Sequence, residues 1–364
     1  MSRKRKSVLW QIVDNRKRRT ALLWAAGLAL FALLFYGVAD RLAKSLTDQS
    51  MAMRWSKNRG AAQISCFFSQ GAQTTREDLE EFAHALDAYL LENSIEQTSP
   101  NPGARLWVEA YSAEGKITLS NGKTNVEADA LGVGGDFFLF HPQKLLYGGY
   151  FSGNDLNQDY CVIDQDAAWQ LFGSNDVAGM TVTIDGIPHI VSGVIERPGG
   201  RLLRAAGLDT TRVYVSYDTL AAYGTSYGIN HYEILMPNPV KQFAYQYVKD
   251  KLGADEKETE VVENTTRFSL LNRFKRLKQF GTRAMNGKAI SYPYWENLAR
   301  GYEDIVGALT LCSLLCLVYP FLYLIWAIVF WKRHKGWTIR DIWGKIRDRY
   351  DARIARQYYA KQKK

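Results

Sequence analysis

Two stretches of the chain carry no charge. Thr20 to Val38 (TALLWAAGLALFALLFYGV) is apolar for 19 residues, and Ile305 to Trp331 (IVGALTLCSLLCLVYPFLYLIWAIVFW) for 27. At about 1.5 Å of rise per helical residue, each is long enough to cross a hydrocarbon core roughly 30 Å thick. A soluble helix keeps a polar face, which neither stretch has. The pattern therefore predicts membrane helices at 20–42 and 305–331, with Pro320 placed to kink the second. The first run exceeds the 7 to 15 apolar residues usual in a cleaved secretory signal, so an uncleaved anchor is expected.

Between these stretches the period changes from residue to residue. Ala61 to Phe68 reads as a strand, and Thr74/Thr75 with Glu77/Asp78 reads as a cap for a helix from Arg76 to Glu92, whose apolar side carries Leu79, Phe82, Ala83, Leu86, Tyr89 and Leu90. Ser99 to Gly103 breaks the pattern. Arg105–Tyr111 and Lys116–Ser120 then predict a hairpin turning at Ala113-Glu114-Gly115. Tyr160 to Ile163 reads as a strand and Asp166 to Phe172 as a helix stopped by Gly173. Met180–Ile184 and His189–Val194 predict a second hairpin closed by Asp185-Gly186. Further strands are expected at Arg212–Ser216, His231–Met236 and Glu258–Val262, with a helix over Pro239–Leu252. With the central block set aside, the flanks read strand, helix, strand twice, the order of a split β-α-β unit of the ferredoxin-like sort. The expected fold class is an α+β domain over 43–265, a split βαβ lobe with an inserted β-rich lobe at about 129–200, held between two transmembrane helices.

Charge fixes the orientation expected for this frame. The formal net charge is +9, but residues 1–19 hold 8 Lys/Arg against one acid and residues 332–364 hold 12 against three, which leaves the middle at −7. Basic tails on the far side of both spans place both termini in the cytoplasm and the domain outside. They also argue against nucleic acid as the partner, since the basic residues belong to the tails. From 266 to 304, Phe268, Leu271, Phe274 and Leu277 recur every third residue among Arg and Lys, which predicts an amphipathic stalk between domain and membrane, with contact to lipid headgroups as the second possibility. In the tail, Ile339, Ile342, Ile346, Tyr350 and Ile354 predict an amphipathic basic helix lying on the membrane surface or against a partner.

Candidate chemistry is sparse. There is no phosphate-binding Gly-x-x-x-x-Gly-Lys-Ser/Thr loop. The five histidines (His84, His141, His189, His231, His334) lack the spacing that pre-arranges metal ligands. Acidic runs read as solvated faces, and no enzyme, metal site or cofactor is expected. Cys66 and Cys161 lie outside the membrane and are open to two readings, a disulfide in an oxidising compartment or ordinary core residues. Small residues at helical spacing in the spans (Ala21, Ala25, Ala29; Ala308, Cys312, Cys316) are candidates for close helix packing, within the chain or with a partner.

One series of residues carries a resemblance. Leu131-Gly-Val-Gly-Gly-Asp-Phe-Phe138, Gly148-Gly149-Tyr150-Phe151, Val162-Ile163, Ala167-Ala-Trp-Gln-Leu171-Phe172-Gly173, Val177-Ala-Gly179 and Val191-Ser-Gly193-Val194-Ile195 are similar to the MacB-type periplasmic core domain of FtsX-like ABC-transporter permeases. The chain departs from that pattern at Gly149-Tyr150-Phe151, where the family has an Arg after the glycine. The resemblance implies structural roles for Gly149, Phe151, Leu171, Phe172, Gly173, Gly179, Gly193 and Val194. It also implies an extracytoplasmic domain with a porter-like α/β lobe and an inserted β-rich lobe. Family permeases continue into three packed helices and work with a nucleotide-binding subunit, whereas this chain has one span after the domain. It is therefore expected to be a non-catalytic, two-span component of an ABC-transporter-like complex in a bacterial cell membrane. Permease and nucleotide-binding subunits, or further copies of itself, would be its partners, its outer domain would bind a partner or exported substrate, and conformational change would be relayed through the spans. A free-standing envelope sensor or scaffold is the alternative.

Overall fold

The computed structural model describes residues 2–55, 60–97, 101, 103–153, 155–281, 290–334, 343, 347–348 and 350–352, with side chains described for all of these except 2–15 and 331–334. Much of the expected tail helix, Ile339, Ile342, Ile346 and Ile354 included, therefore lies outside the described residues. No proline interrupts α1 (Ser2–Lys44), which runs through the basic tail and the first apolar stretch. After α2 (Met51–Trp55) come β1 (Ala61–Phe68) and α3 (Arg76–Glu92). The expected capping box starts α3: Thr75 Oγ1 accepts from the Asp78 N–H, and Asp78 accepts from the Thr75 N–H at 2.8 Å.

The chain continues through β2 (Val108–Ser120), β3 (Asn125–Gly135), α4 (Phe137–Phe140) and β4 (Leu145–Gly148). The central block forms β5 (Tyr160–Asp164), α5 (Gln165–Phe172), β6 (Thr181–Ile184) and β7 (Ile187–Ile195). It is followed by α6 (Arg201–Ala205), β8 (Arg212–Ser216), α7 (Tyr217–Tyr223) and β9 (Thr225–Ser226). Last are β10 (His231–Pro237), α8 (Phe243–Leu252), β11 (Thr259–Glu263), α9 (Leu270–Leu277) and α10 (Tyr294–His334), which holds the second apolar stretch.

Two compact units result, Ala39–Ala308 and the two apolar helical arms with the tails. In the first unit the strands form one sheet ordered β11-β1-β10-β2-β3-β8-β5-β7-β4. Its first four strands pair antiparallel throughout, in the split β-α-β order expected from the sequence, with α3 and α8 packed on one face over Ile64, Cys66, Tyr232, Ile234 and Met236. Beyond β2, a second core forms where α5 and α7 cover Ile117, Val191, Val194, Val213 and Val215. The β6–β7 hairpin turns at Asp185 (φ 50°) and Gly186 (φ 81°), the positive pair a type I′ turn needs.

One expectation is corrected, and of the two readings left open for the cysteines the core one is favoured. Ala113-Glu114-Gly115 is no turn: β2 runs straight through it, because Ala113 is buried in the core and β9 pairs alongside at Gly115, where a Cβ would collide with Thr225 O. The glycine serves close approach rather than reversal. Cys66 and Cys161 are both free. They sit on β1 and β5, five strand spacings apart in the sheet, which at about 4.8 Å each separates them by roughly 24 Å, far beyond disulfide reach.

In the second unit, two helices are long and apolar enough to cross a membrane. Ala25 and Ala32 are buried, and Ser313 Oγ donates to Ala32 O at 2.9 Å. Of the small residues singled out, Ala21, Ala29 and Cys316 are half-buried and Cys312 is exposed, since the helix turns Ser313 rather than Cys312 inward. Ala308, at the edge of the outer unit, is half-buried.

Candidate functional site

Alternation along a strand puts every second side chain on one face. On β10 that rule sends Tyr232, Ile234 and Met236 into the core beneath α3 and α8, and His231, Glu233 and Leu235 to the opposite face. Gln63 and Ser65 of β1 and Ser112 of β2 share that opposite face, and all are buried. A polar stripe in the middle of a sheet must find partners when covered. The cover consists of residues 46–52 after α1, His141 at the end of α4, and Trp295 at the start of α10.

Glu233 is the centre of this layer. Its Oε1 accepts from Ser65 Oγ (2.5 Å), Gln63 Nε2 (3.0 Å) and Asn264 Nδ2 (3.2 Å). Its Oε2 lies 2.8 Å from His141 Nε2 and 3.9 Å from His231 Nε2, and among the described residues none of these three atoms has an aligned hydrogen bond. His141 Nδ1 bonds Asp48 Oδ1 at 2.9 Å, and His231 Nδ1 bonds Ser112 Oγ at 3.3 Å. Gln63 ties the segment after α1 to the sheet twice, donating to Asp48 O (2.6 Å) and accepting from Met51 N–H (2.9 Å). The Trp295 ring lies over both imidazoles, with centroids 4.1 Å from His141 and 4.9 Å from His231.

A second node joins α10 to the loop after β11. Arg267, 2% exposed, makes a two-pronged pair with Glu296 (2.5 and 2.8 Å) and donates to Glu303 (2.8 Å) and Gln49 (3.2 Å). Arg300 links Glu296 (2.6 Å) to Glu260 (2.9 Å) and lies 3.7 Å over the Tyr292 ring. Asn264 bridges the nodes, donating to Ser65 and Glu233 and accepting from Arg267. The base of α10, the sheet and the segment leaving α1 thus share one buried network, and Arg273 extends it to Asp40 at 3.7 Å.

Burial alone would disfavour each charge here, and the pairing overturns it in part. Glu233 is held down to about 2: burial would raise it, but the His141 imidazolium outweighs that. His141 is pushed up to about 9 against its own burial by Glu233 and Asp48. His231 falls to about 4 because burial dominates and His141 adds repulsion, so it is the neutral member. Glu296 also titrates below its usual range, burial being outweighed by Arg267 and Arg300.

Elsewhere in this unit an open cleft of about 810 Å³ is lined by Phe68, Glu114, Arg212, Tyr227, Tyr292 and Asn297 among others. Burial raises the Glu114 carboxyl, which accepts from Ser291 Oγ at 3.1 Å.

The residues that carry the family resemblance lie away from both places. Phe151 and Leu171 are buried in separate core clusters, Val194 is fully buried, and Phe172 packs half-buried beside Leu171. Gly173 (φ 70°) ends α5, its N–H bonding Trp169 O, and Gly179 (φ 85°) bonds Val191 O. Gly193 lies so close to Gly149 that a Cβ would sit 2.5 Å from Gly149 O, while Gly149 itself has open space. None touches Glu233 or Arg267 in a described bond. The buried network escaped the sequence because its members come from segments far apart along the chain. One local signal was there: His231-x-Glu233 on a strand puts both on one face.

Comparison with known proteins completes the picture. A family model of the MacB-like periplasmic core domain matches residues 28–259. The macrolide export ATP-binding/permease protein MacB of Chromobacterium violaceum is 28% identical over 111 residues, covering 30% of this chain and 16% of that protein. The protein of the same name from Pasteurella multocida is 32% identical over 106 residues, covering 28% of this chain and 16% of that one. Among solved structures, the periplasmic region of MacB from Actinobacillus actinomycetemcomitans aligns with a TM-score of 0.39 at 18% identity, over 60% of this chain and 94% of that one. The matched part thus spans 16% of the length of either curated relative. With two apolar helices flanking the domain, this is a membrane protein with an extracytoplasmic domain. The family model covers well over half of the sequence, and the chain belongs to the MacB-like periplasmic core domain family.

Proposed function

We propose that this chain is a non-catalytic, two-pass component of an ABC-transporter-like membrane complex, with both termini cytoplasmic, that passes displacement of its outer domain to its two helices. The supporting observation is the buried network, in which Arg267, Glu296, Gln63, Asp48 and Glu233 tie the stem of each long helix to the same sheet face. A buried ion pair adds little stability over an apolar replacement, but bidentate pairing holds a single geometry. A load applied to the sheet therefore reaches both stems without slack. The cleft beside Glu114 is the candidate place for a partner segment or exported substrate. The exposed apolar residues of α9, Leu271 (63%) and Phe274 (38%), suit contact with lipid. ATP hydrolysis would belong to a nucleotide-binding subunit and the translocation path to permease chains or to further copies of this one. The relatives' names include ATP-binding and permease functions. Such a relay requires that partner binding favour one arrangement of the domain over another.

The test is co-purification in mild detergent followed by mass spectrometry. Permease and ATPase chains recovered in fixed ratio support the reading; recovery as a lone monomer sinks it and leaves a free-standing sensor or scaffold.

A further inference from the structure

The two histidines and the glutamate of the network present an arrangement that the His141–Glu233 ion pair explains only in part, since His231 is left outside it. His141 Nε2, His231 Nε2 and Glu233 Oε2 are all buried and converge; His141 and Glu233 approach as a charged pair at 2.8 Å, and among the described residues none of the three atoms makes an aligned hydrogen bond. One donor atom from each residue lies within 4.8 Å of the other two. The charged pair serves two of these atoms and leaves His231 Nε2 at 3.9 Å from the carboxylate, and a buried polar atom left without a bond is costly; one ion bound by all three atoms would satisfy them together. The other end of each side chain is already held. Asp48 takes His141 Nδ1, Ser112 takes His231 Nδ1, and Ser65, Gln63 and Asn264 hold Glu233 Oε1. Outer partners of this kind orient metal ligands, with a carboxylate or hydroxyl on the far nitrogen of each imidazole.

The geometry points to a divalent-metal site of zinc type formed by His141 Nε2, His231 Nε2 and Glu233 Oε2. A tetrahedral ion with bonds of about 2.0–2.1 Å spaces its ligand atoms roughly 3.3 Å apart. The separations of 2.8 Å and 3.9 Å to Glu233 fall on either side of that value, so small side-chain shifts would complete the shell. Two imidazoles and one carboxylate suit zinc and its first-row neighbours, whereas magnesium and calcium favour all-oxygen shells. A fourth position would be left for water. The ion would clamp α4 to β10, and through the Asp48–His141 bond it would hold the segment leaving α1. The Trp295 ring lies over both imidazoles and covers the site.

The experiment uses the full chain in detergent, purified on a tag without histidine, stripped with chelator and reloaded. Metal content after gel filtration and thermal midpoint are read with Zn²⁺ and Mg²⁺, and Co²⁺ supplies a visible spectrum that reports coordination number. One Zn²⁺ retained per chain, a midpoint raised by Zn²⁺ but not by Mg²⁺, and a four-coordinate Co²⁺ spectrum are expected. His231→Gln should lose all three, while His84→Gln, on an exposed position of α3, should keep them. If His231→Gln fails to fold, the wild-type metal content and spectrum decide alone. No retained metal with an unchanged midpoint overturns the site in favour of a bare imidazolium–carboxylate pair. Equal loss in His84→Gln overturns it in favour of surface binding.

Discussion

Replacing Arg267 by methionine keeps most of the side chain's volume and removes its charge from a place where the side chain has no exposure. The two-pronged pair to Glu296 and the bond to Glu303 vanish together. Arg300 still holds Glu296 on one oxygen, and Arg276 remains 3.7 Å from Glu303, so neither carboxylate is wholly abandoned. Removing one partner of a buried pair costs about 3–5 kcal/mol, mostly from the charges left behind. The Ala39–Ala308 unit spans 270 residues. At about 2.1 cal/mol/K of unfolding entropy per residue, such a loss lowers Tm by roughly 5–9 °C. Thermal unfolding of the full chain in detergent, followed by near-UV circular dichroism, reads this directly. Arg76→Met, which breaks the exposed pair with Glu80, is the control and should cost under about 1 kcal/mol. Because the two side chains share bonds, Glu296→Gln should cost less in the Arg267→Met background than in wild type. A loss no larger than the Arg76 control, or strict additivity with Glu296→Gln, would refute the claim that this network fixes the stems.

Three further outcomes are expected. Glu296 titrates below its unfolded value of about 4.3, so its pairing contributes fully above that pH and is lost as pH falls through the folded value; Tm should drop more steeply below about pH 4 in wild type than in Arg267→Met, and equal slopes would count against it. Gly193→Ala forces a Cβ to 2.5 Å from Gly149 O and should cost about 1–3 kcal/mol, whereas Gly149→Ala, with open space, should change Tm little; the reverse order would contradict the packing described. Cys66 and Cys161 are free and buried, and burial raises both thiols, so an alkylating reagent should label neither until the chain unfolds, and reductant should not alter its mobility on a gel; rapid native labelling of either would be the contrary result.

The fold was legible where local chemistry decides it. Thr75 and Asp78 cap α3, Gly173 stops α5 and Asp185-Gly186 turns a hairpin, each through contacts within a few residues. The order of the first four sheet strands also followed, because two strand-helix-strand runs have few ways to pack. Gly115 misled for a physical reason: a glycine reads alike whether the chain reverses there or another backbone pairs alongside, and only β9, distant in sequence, separates the cases. The segment after β11 was legible only in part. Its period marked Phe268, Leu271, Phe274 and Leu277 as one apolar face of an amphipathic segment and gave no sign that Arg267 and Arg273 are buried. A buried arginine is stable only with its acids, and Glu296 and Glu303 lie in the following helix. The candidate site was accordingly the least legible part, with only the His231-x-Glu233 spacing visible locally.

Hydrogen exchange of the full chain in lipid nanodiscs tests the coupling most directly. If the network binds both stems to the sheet, amides of residues 41–50 and 294–304 should open together with those of β1 and β10, at one common free energy, and Arg267→Met should let the stems open first. Stems that already exchange independently of a protected sheet in wild type would contradict the account.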